Sequence, residues 1–208
     1  PVAPSALGCL RPLCGMKEAP FLRPDHIGTQ DETLRVSLDE QNGFEYTLCV
    51  SVKPLDIASL ERQAVQIRRE ILETIACAGS GHPGGSLSSV EIMLTLYGYQ
   101  MDHKPSDPKW EGRDRLIISK GHVSPVVYVT LANFGYFPKE ELKTFRKFGA
   151  RLQGHVHAKV PGVEFSTGSL GHGLAFANGI ALGARMRGRD FKTYCLLGDG
   201  EIQEGSVW

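Results

Sequence analysis

The chain has 208 residues, which suits one domain of ordinary size or one domain with an appended segment. Its 23 basic residues cancel its 23 acidic residues, so the sequence supports neither a nucleic-acid-binding surface nor electrostatic attachment to a membrane. No stretch reaches the roughly 18 consecutive apolar residues that a membrane helix needs.

The beginning of the chain has no recognisable motif. Residues 1–54 are predicted to form an irregular N-terminal extension, and disorder is favoured over a targeting helix because five prolines interrupt the first 24 residues. The run 44–50 has strand-like composition. The five cysteines are odd in number and mostly far apart, which favours free thiols in a reducing, cytoplasmic compartment. Cys77 and Cys195 fall in apolar segments, where we expect buried thiols.

A helix is predicted to follow Asp56. Apolar residues recur there at spacings of three and four, at Ile57, Leu60, Ala64, Ile67, Ile71 and Ile75. This spacing predicts one buried helical face, and Gly79 is expected to end the helix. A second helix is predicted over 89–99, because Ser88 and Glu91 have the spacing of a capping box.

Three more helices are predicted in the middle of the chain. Ser124 and Pro125 suit the N-cap and first turn of a helix over 126–134. Another helix is predicted over 138–149, where a proline and two glutamates stand at the start and a glycine at the end. The helix predicted over 174–187 is rich in small residues, which indicates close approach to another backbone.

Short buried strands are predicted over 115–119 and 194–197, and a glycine turn follows each of them. Helices that alternate with such strands indicate an α/β fold, with a parallel sheet flanked by helices, over residues 55–208. Ligands of such sheets bind at the carboxyl ends of the strands. We therefore expect the functional site at these turns.

The turn Gly198-Asp199-Gly200 follows the second predicted strand. Its glycines let the backbone approach a large anion, and magnesium can bridge the carboxylate to a phosphate, since Mg²⁺ is commonly held by one or two carboxylates plus phosphate oxygens. The tripeptide is also common as a simple tight turn, and both interpretations stay open on this motif alone.

Imidazoles accompany several other glycines of the chain. Five of the seven histidines adjoin a glycine or lie one residue from it, namely His82, His122, His155, His157 and His172. Any one of them alone would suit a structural hydrogen bond, but together they favour a functional site. Structural zinc is not favoured, because no cysteine or acidic pair completes a tetrahedral set.

Four blocks of sequence resemble, in the same order, the amino-terminal, thiamine-diphosphate-binding part of transketolase. The blocks lie at 80–85, 113–122, 161–171 and 198–205, within a similar stretch over 56–208. The amino-terminal subunits of split transketolases share this resemblance. Deoxyxylulose-phosphate synthase is less similar, because its second histidine turn lacks the Ser-Lys-Gly-His form. The Gly-His-Pro-Gly block weighs against a two-oxoacid dehydrogenase component.

The resemblance implies roles for the histidines. His82 and His155 would be catalytic residues that face the reacting carbon, hold substrate hydroxyls and help to move protons. His122 would lie beside the cofactor diphosphate. His157 and His172 match no role in the family, and we expect both to be structural.

The resemblance also implies the remaining cofactor contacts. The backbone of Gly168, Ser169 and Leu170 would line the aminopyrimidine ring of the cofactor. Asp199 would bind Mg²⁺, with Gly198, Gly200 and Glu201 close to the diphosphate. Glu204 would lie at the dimer contact, where members of the family link paired active sites.

The implied activity is transfer of a two-carbon ketol unit between sugar phosphates, with thiamine diphosphate and Mg²⁺ as cofactors. The family's other magnesium ligands, its activating glutamate and its phosphate-binding arginines find no match here. We therefore expect a C-terminally truncated unit that is inactive alone. It would need a C-terminal transketolase subunit or further domains, in a homodimer or heterotetramer. A non-catalytic relic or interaction module is the alternative; loss of the histidines or of Asp199 would indicate it, and none is lost.

Overall fold

The computed structural model describes residues 56–208. The predicted irregular extension over 1–54 and the strand-like run 44–50 lie outside the described residues. Within 56–208 the helices and strands are, in chain order, α1 Ile57–Ala78, α2 Pro83–Leu87, α3 Val90–Thr95, β1 Arg115–Ile118, α4 Ser124–Asn133, α5 His172–Met186 and β2 Thr193–Leu196. Short 3₁₀ segments cover Gly121–Val123, Lys139–Thr144 and Glu201–Gln203, and a π-helical turn covers Leu96–Gln100.

The first helix, α1, forms as its sequence predicts. The Asp56 carboxylate accepts a hydrogen bond from the backbone N–H of Ser59 at 3.0 Å and so caps the start of the helix. Gly79 ends it with φ of 66°, a left-handed conformation that glycine adopts without steric cost. The middle of the predicted apolar face is buried, with Ile71 fully enclosed, but Ile57 is 60% exposed. The prediction of a buried face was therefore wrong for the first turn of the helix.

The helix predicted over 89–99 is confirmed, since α3 and the π-helical turn after it together cover this range. The structure adds the short helix α2 at the end of the glycine-rich segment, which was not predicted. The predicted capping box was wrong, because Ser88 donates its hydroxyl to the Gly85 carbonyl. Its expected partner, Glu91, instead forms an ion pair with Arg68 of α1. A contact between helices has replaced the local cap.

The helix α4 is the centre of the core. All of its residues except the last are buried, and α1, α2 and α3 contact it. Ser124 is its first residue rather than its N-cap, and the Ser124 hydroxyl donates to the Gly154 carbonyl at 2.9 Å. That bond ties α4 to the loop before His155.

The helix predicted over 138–149 is only the 3₁₀ segment Lys139–Thr144. Arg146 adopts φ of 59°, and its N–H donates to the Leu152 carbonyl at 2.8 Å rather than to a carbonyl of the preceding turn. The chain therefore turns back before the predicted helix end.

The two strands form the parallel pair that the sequence predicts. Arg115 lies opposite Thr193 and Ile118 lies opposite Leu196. The helix α5 contacts both strands and connects to β2 by a short segment. This arrangement confirms the expected parallel sheet flanked by helices.

The small residues of α5 do not all serve close packing. A Cβ atom added at Gly173 would lie 2.5 Å from Cα of Ser119, so the start of α5 does approach another backbone. At Gly179 and Gly183 no atom lies within 4 Å of the added Cβ. Gly173 lies just before the predicted range 174–187, and at the two glycines within that range the described residues do not make the predicted close approach.

The thiols also differ from expectation. Cys77 is exposed on α1 and Cys195 is half-buried, so neither is the fully buried thiol that the apolar periodicity predicts. Burial raises the pKa of Cys195 to about 11. Over residues 56–208, no helix has both the length and the apolar character that crossing a bilayer requires.

Candidate cofactor-binding site

Both strands end at the same edge of the sheet. The Ser119 amide donates to the Leu196 carbonyl at 2.9 Å, which extends the parallel pairing one residue beyond β1. The turns 119–122 and 198–200 therefore leave the sheet side by side. This is the edge at which ligands of parallel sheets bind.

Three imidazoles meet near this edge. The ring centres of His82 and His122 are 5.3 Å apart, and those of His82 and His155 are 6.4 Å apart. His82 and His155 are exposed, whereas His122 is half-buried. The structure thus brings together three histidines that lie 33 to 73 residues apart in the chain.

The loop that carries His155 is fixed by two hydrogen bonds. The Tyr128 hydroxyl of α4 donates to the His155 carbonyl at 2.9 Å, and the Val156 amide donates to the Gly121 carbonyl at 3.0 Å. Tyr128 and Val156 are both buried. The backbone of this histidine is therefore held by the core although its ring is open to solvent.

The loop 167–171 is fastened to the end of β1. The Thr167 hydroxyl donates to the Ile118 carbonyl at 2.5 Å. A Cβ atom added at Gly121 would lie 2.6 Å from the carbonyl carbon of Thr167, so a side chain at position 121 would push the loop away. Gly168 in turn faces His155, since an added Cβ would lie 3.5 Å from Cδ2 of that ring. Gly168, Ser169 and Leu170 are exposed beside the histidine group.

The turn 198–200 presents its aspartate to solvent. Asp199 is exposed and makes neither a hydrogen bond nor an ion pair with any residue of 56–208. No atom lies within 4 Å of a Cβ added at Gly200, which leaves open space beside the backbone. The Gly198 amide donates to Oε2 of Glu201 at 2.9 Å and so fixes the start of the turn.

Lys120 adds a positive charge to this turn. A Cβ atom added at Gly198 would lie 3.6 Å from Cδ of Lys120. Burial lowers the pKa of Lys120, while the nearby carboxylates of Asp199 and Glu201 act in the opposite direction. Its ammonium forms no ion pair within the described part of the chain. It is therefore available to an anion.

The surroundings of His122 favour its neutral form. Burial lowers the pKa of His122, and the positive fields of His82, Lys120 and His155 lower it further, against a smaller opposing effect of Glu201. A neutral imidazole has one donor and one acceptor nitrogen. His122 can therefore offer a hydrogen bond to a phosphate without a charge of its own.

The other predicted site residues lie apart from the open space. Glu201 is 3% exposed, so its carboxylate points into the protein. Glu204 is exposed. His172 is the exposed first residue of α5 rather than part of a loop, and Nδ1 of His157 accepts a hydrogen bond from the Lys159 amide at 3.1 Å.

Two residues of the site were not predicted, Ser119 and Lys120. Both belong to the Ser-Lys-Gly-His block that carried the resemblance, yet only its histidine received a role. The sequence position of Lys120 could have indicated its role. This lysine comes shortly after the first buried strand, whose end lies beside the Gly-Asp-Gly turn.

The donor set fits a magnesium-bridged diphosphate better than a protein-enclosed metal. Within 56–208, no group of three or more histidine, cysteine or acidic side chains is arranged to hold a metal ion by itself. Mg²⁺ is commonly held by one or two carboxylates together with phosphate oxygens and water. A single free carboxylate beside a lysine and open glycine backbone matches that pattern.

Imidazoles, glycine turns and an exposed aspartate lie together at the carboxyl edge of a parallel sheet. This arrangement is typical of a domain that binds a phosphate-bearing cofactor. Comparison with known families makes this class specific. Residues 60–207 match the family described as "Transketolase, thiamine diphosphate binding domain". The chain belongs to the transketolase family.

Individual relatives are similar over the same region. One subunit of the apulose-4-phosphate transketolase of Phocaeicola vulgatus is 42% identical over 154 residues, which are 74% of this chain and 55% of the relative. Human transketolase is 39% identical over 153 residues, 73% of this chain and 25% of the relative. The crystal structure of transketolase from Campylobacter jejuni superposes with a TM-score of 0.70 and 38% identity, over 74% of this chain and 25% of that one. The chain therefore spans about half the length of the Phocaeicola protein and a quarter of the two transketolases.

Proposed function

We propose that this chain supplies the thiamine-diphosphate half-site of an enzyme that transfers a two-carbon ketol unit from a ketose phosphate to an aldose phosphate. Membership of the family supports the class of cofactor. The observation that carries the proposal is the meeting of His82, His122 and His155 at the strand edge where the Gly-Asp-Gly turn also leaves the sheet.

The diphosphate would bind at the 198–200 turn. Asp199 would hold Mg²⁺ together with oxygens of the diphosphate, and the open backbone at Gly200 would allow close approach. The free ammonium of Lys120 and the neutral imidazole of His122 would supply donors to the same anion. The exposed loop 168–170 would contact the aminopyrimidine ring.

The proton steps would fall to the exposed histidines. When bound, thiamine diphosphate supplies a thiazolium ring that accepts an electron pair. His82 and His155 would hold the hydroxyls of the sugar phosphate and pass protons to or from its oxygens. Imidazole suits these steps because it exchanges protons near neutral pH.

Sugar phosphates and a second polypeptide would be the partners of this chain. The similar protein of Phocaeicola vulgatus is named as one subunit of an apulose-4-phosphate transketolase, which supports pairing with a C-terminal transketolase subunit or with further domains. The complete enzyme would be a homodimer or heterotetramer, with Glu204 at the contact between active sites. Free thiols at Cys77 and Cys195 favour a cytoplasmic location.

The test is calorimetric titration of thiamine diphosphate, in the presence of Mg²⁺, into this chain combined with a C-terminal transketolase subunit. Asp199→Asn removes the metal-binding charge at nearly constant volume. Because loss of a group that only supports a metal ligand already weakens metal sites by about 10- to 100-fold, loss of the ligand itself should weaken cofactor binding by about 100-fold or more. Asp190→Asn is the matched control, since that aspartate is exposed near the opposite end of β2.

The outcomes separate the candidate functions. Tight binding by the native chain and by Asp190→Asn, but not by Asp199→Asn, would support the proposal. Equal binding by all three proteins would remove Asp199 from the site. Absence of binding by the native pair would favour a non-catalytic interaction module.

A further inference from the structure

Glu201 is a buried carboxylate in the described domain, and only 3% of its surface is exposed. Its position is unexpected for a residue next to the exposed turn 198–200. A buried carboxylate is costly unless several hydrogen bonds replace its water. The partners of Glu201 therefore indicate what it does.

Three donors from three different segments converge on this carboxylate. Oε1 accepts from the Ser119 hydroxyl at 2.5 Å and from the Gly171 amide at 2.8 Å. Oε2 accepts from the Gly198 amide at 2.9 Å. Ser119 follows β1, Gly171 precedes α5, and Gly198 follows β2.

Ser119 extends the network into α5. Its hydroxyl, which donates to Glu201, accepts from the Gly173 amide at 3.0 Å, and its side chain is fully buried. The first amides of a helix have no partner within the helix. In α5, where Gly171 provides no side-chain cap, Ser119 and Glu201 satisfy two backbone donors at the start of the helix.

These bonds lock two loops to the sheet and to each other. The Gly171 bond closes the loop 168–170, which lies beside His155. The Gly198 bond closes the turn that presents Asp199. The two loops have no other side chain in common among the hydrogen bonds of the described domain.

We propose that Glu201 is a positioning residue that fixes the aminopyrimidine loop 168–170 relative to the diphosphate turn 198–200. Its carboxylate is fully engaged by protein donors, so it acts on the cofactor through these two loops and not by contact. This inference rests on the proposed cofactor site and adds a residue whose role there is indirect.

Two substitutions test the role, Glu201→Gln and Glu201→Ala. In glutamine one oxygen becomes an NH₂ group, which cannot accept from the amide or hydroxyl that faces it. Alanine removes both acceptors. Glu140→Gln is the matched control, because Glu140 is exposed and its carboxylate makes no hydrogen bond or ion pair within residues 56–208.

The first measurement needs no cofactor. Amide hydrogen exchange of the 208-residue chain should show faster exchange at Gly171 and Gly198, by about tenfold or more, in Glu201→Gln than in Glu140→Gln. Unchanged protection at both glycines would overturn the network itself. General loss of protection throughout the domain would mean that Glu201 serves global stability, which would also contradict a positioning role.

The second measurement uses the chain with a C-terminal transketolase subunit. The apparent KM for thiamine diphosphate should rise by about 10- to 100-fold in Glu201→Ala, with a smaller rise in Glu201→Gln and little change in kcat at saturating cofactor. Cofactor binding by the variants at the native level would overturn the inference but leave the proposed function intact. If the native pair bound no cofactor, the proposed function would fail, and the inference with it.

Discussion

Two glycines of α5 differ in their surroundings although both are helical. Gly173 lies against the backbone of Ser119, whereas Gly179 faces open space. Gly173→Ala should therefore force the start of α5 away from the sheet and lower the free energy of unfolding by about 1–3 kcal/mol. Chemical denaturation of the 208-residue chain measures this change.

Gly179→Ala is the control for that substitution. Alanine is favoured over glycine inside a helix by about 0.8–1 kcal/mol, and nothing at this position opposes the added methyl group. The two substitutions should therefore change stability in opposite directions. A similar loss of stability in both would show that the contact with Ser119 is unimportant.

The histidine at the end of β1 should make stability depend on pH. Burial and positive neighbours lower the folded-state pKa of His122 below its unfolded value of about 6.5. The unfolded chain then binds the proton first, so the stability that neutral His122 allows is present above pH 6.5 and is lost as the pH falls from that value through the lower folded-state pKa.

His122→Asn should reduce this pH dependence. Asparagine keeps a hydrogen-bonding group but cannot take up the proton. The urea midpoint of the native chain should fall between pH 7.5 and 5.5, at roughly one pH unit on either side of the unfolded pKa, and the fall should be smaller in the variant. An equal fall of the urea midpoint in the two proteins would contradict the interpretation that the half-buried imidazole of His122 is neutral.

At the scale of single residues, the sequence indicated turns that the structure brings together. Glycine framing marks the turns of His82, His122 and His155 and the Gly-Asp-Gly turn directly, whereas the roles of these residues stay predictions. Glu201 could not be placed, since its burial depends on donors from Ser119 and Gly171 that lie 82 and 30 residues away. The sequence around Glu201 does not indicate hydrogen-bond partners that lie so far away in the chain.

Among the secondary-structure elements, α1 offers a direct test of the buried face. Ile71 is fully buried, and the next residue, Leu72, is 49% exposed. Ile71→Ala should lower the free energy of unfolding by about 2–5 kcal/mol, because it removes buried methyl groups and leaves a cavity. Denaturant unfolding followed by circular dichroism measures this loss.

Leu72→Ala is the neighbouring control. It removes a comparable volume from the same helix turn, but on the exposed face, where substitutions usually change stability by about 0.5 kcal/mol or less. A large loss for Leu72→Ala would show that this face of α1 is covered in solution.

The elements that the sequence predicted correctly are those whose signals are local. Regular apolar spacing and a capping aspartate suffice for α1, and short buried runs suffice for the two strands. The capping box predicted for the second helix was wrong because Glu91 pairs with Arg68 of α1 and not with its own helix start. The helix over 138–149 was wrong because the chain reverses at Arg146, a residue whose type gives no warning of a positive φ.

At the scale of the whole described domain, the carboxyl edge of the parallel sheet is where the proposed cofactor would bind. Residues from the turn before α2, the β1 turn, the loops before α5 and the β2 turn all lie at this edge. The chain spans 55% of the similar Phocaeicola protein and 25% of human transketolase. The proposed function therefore predicts that activity requires the C-terminal transketolase subunit or further domains with which we propose that this chain pairs.

A complementation assay tests this dependence. The 208-residue chain alone should convert no xylulose phosphate and ribose phosphate in the presence of thiamine diphosphate and Mg²⁺. Addition of a C-terminal transketolase subunit should give turnover. Turnover by the chain alone would contradict the proposed need for a partner.

The same mixture should also become more stable when the cofactor binds. A ligand at one hundred times its Kd stabilises the folded state by about 2.7 kcal/mol if it does not bind the unfolded chain. For a domain of this size, each kcal/mol raises Tm by roughly 2–4 °C, so thiamine diphosphate with Mg²⁺ should raise Tm by about 5–10 °C. Mg²⁺ alone should raise it much less, because Asp199 is the only carboxylate that the described site offers to the metal and the remaining oxygens must come from the diphosphate. An equal shift with Mg²⁺ alone would mean that the metal binds elsewhere.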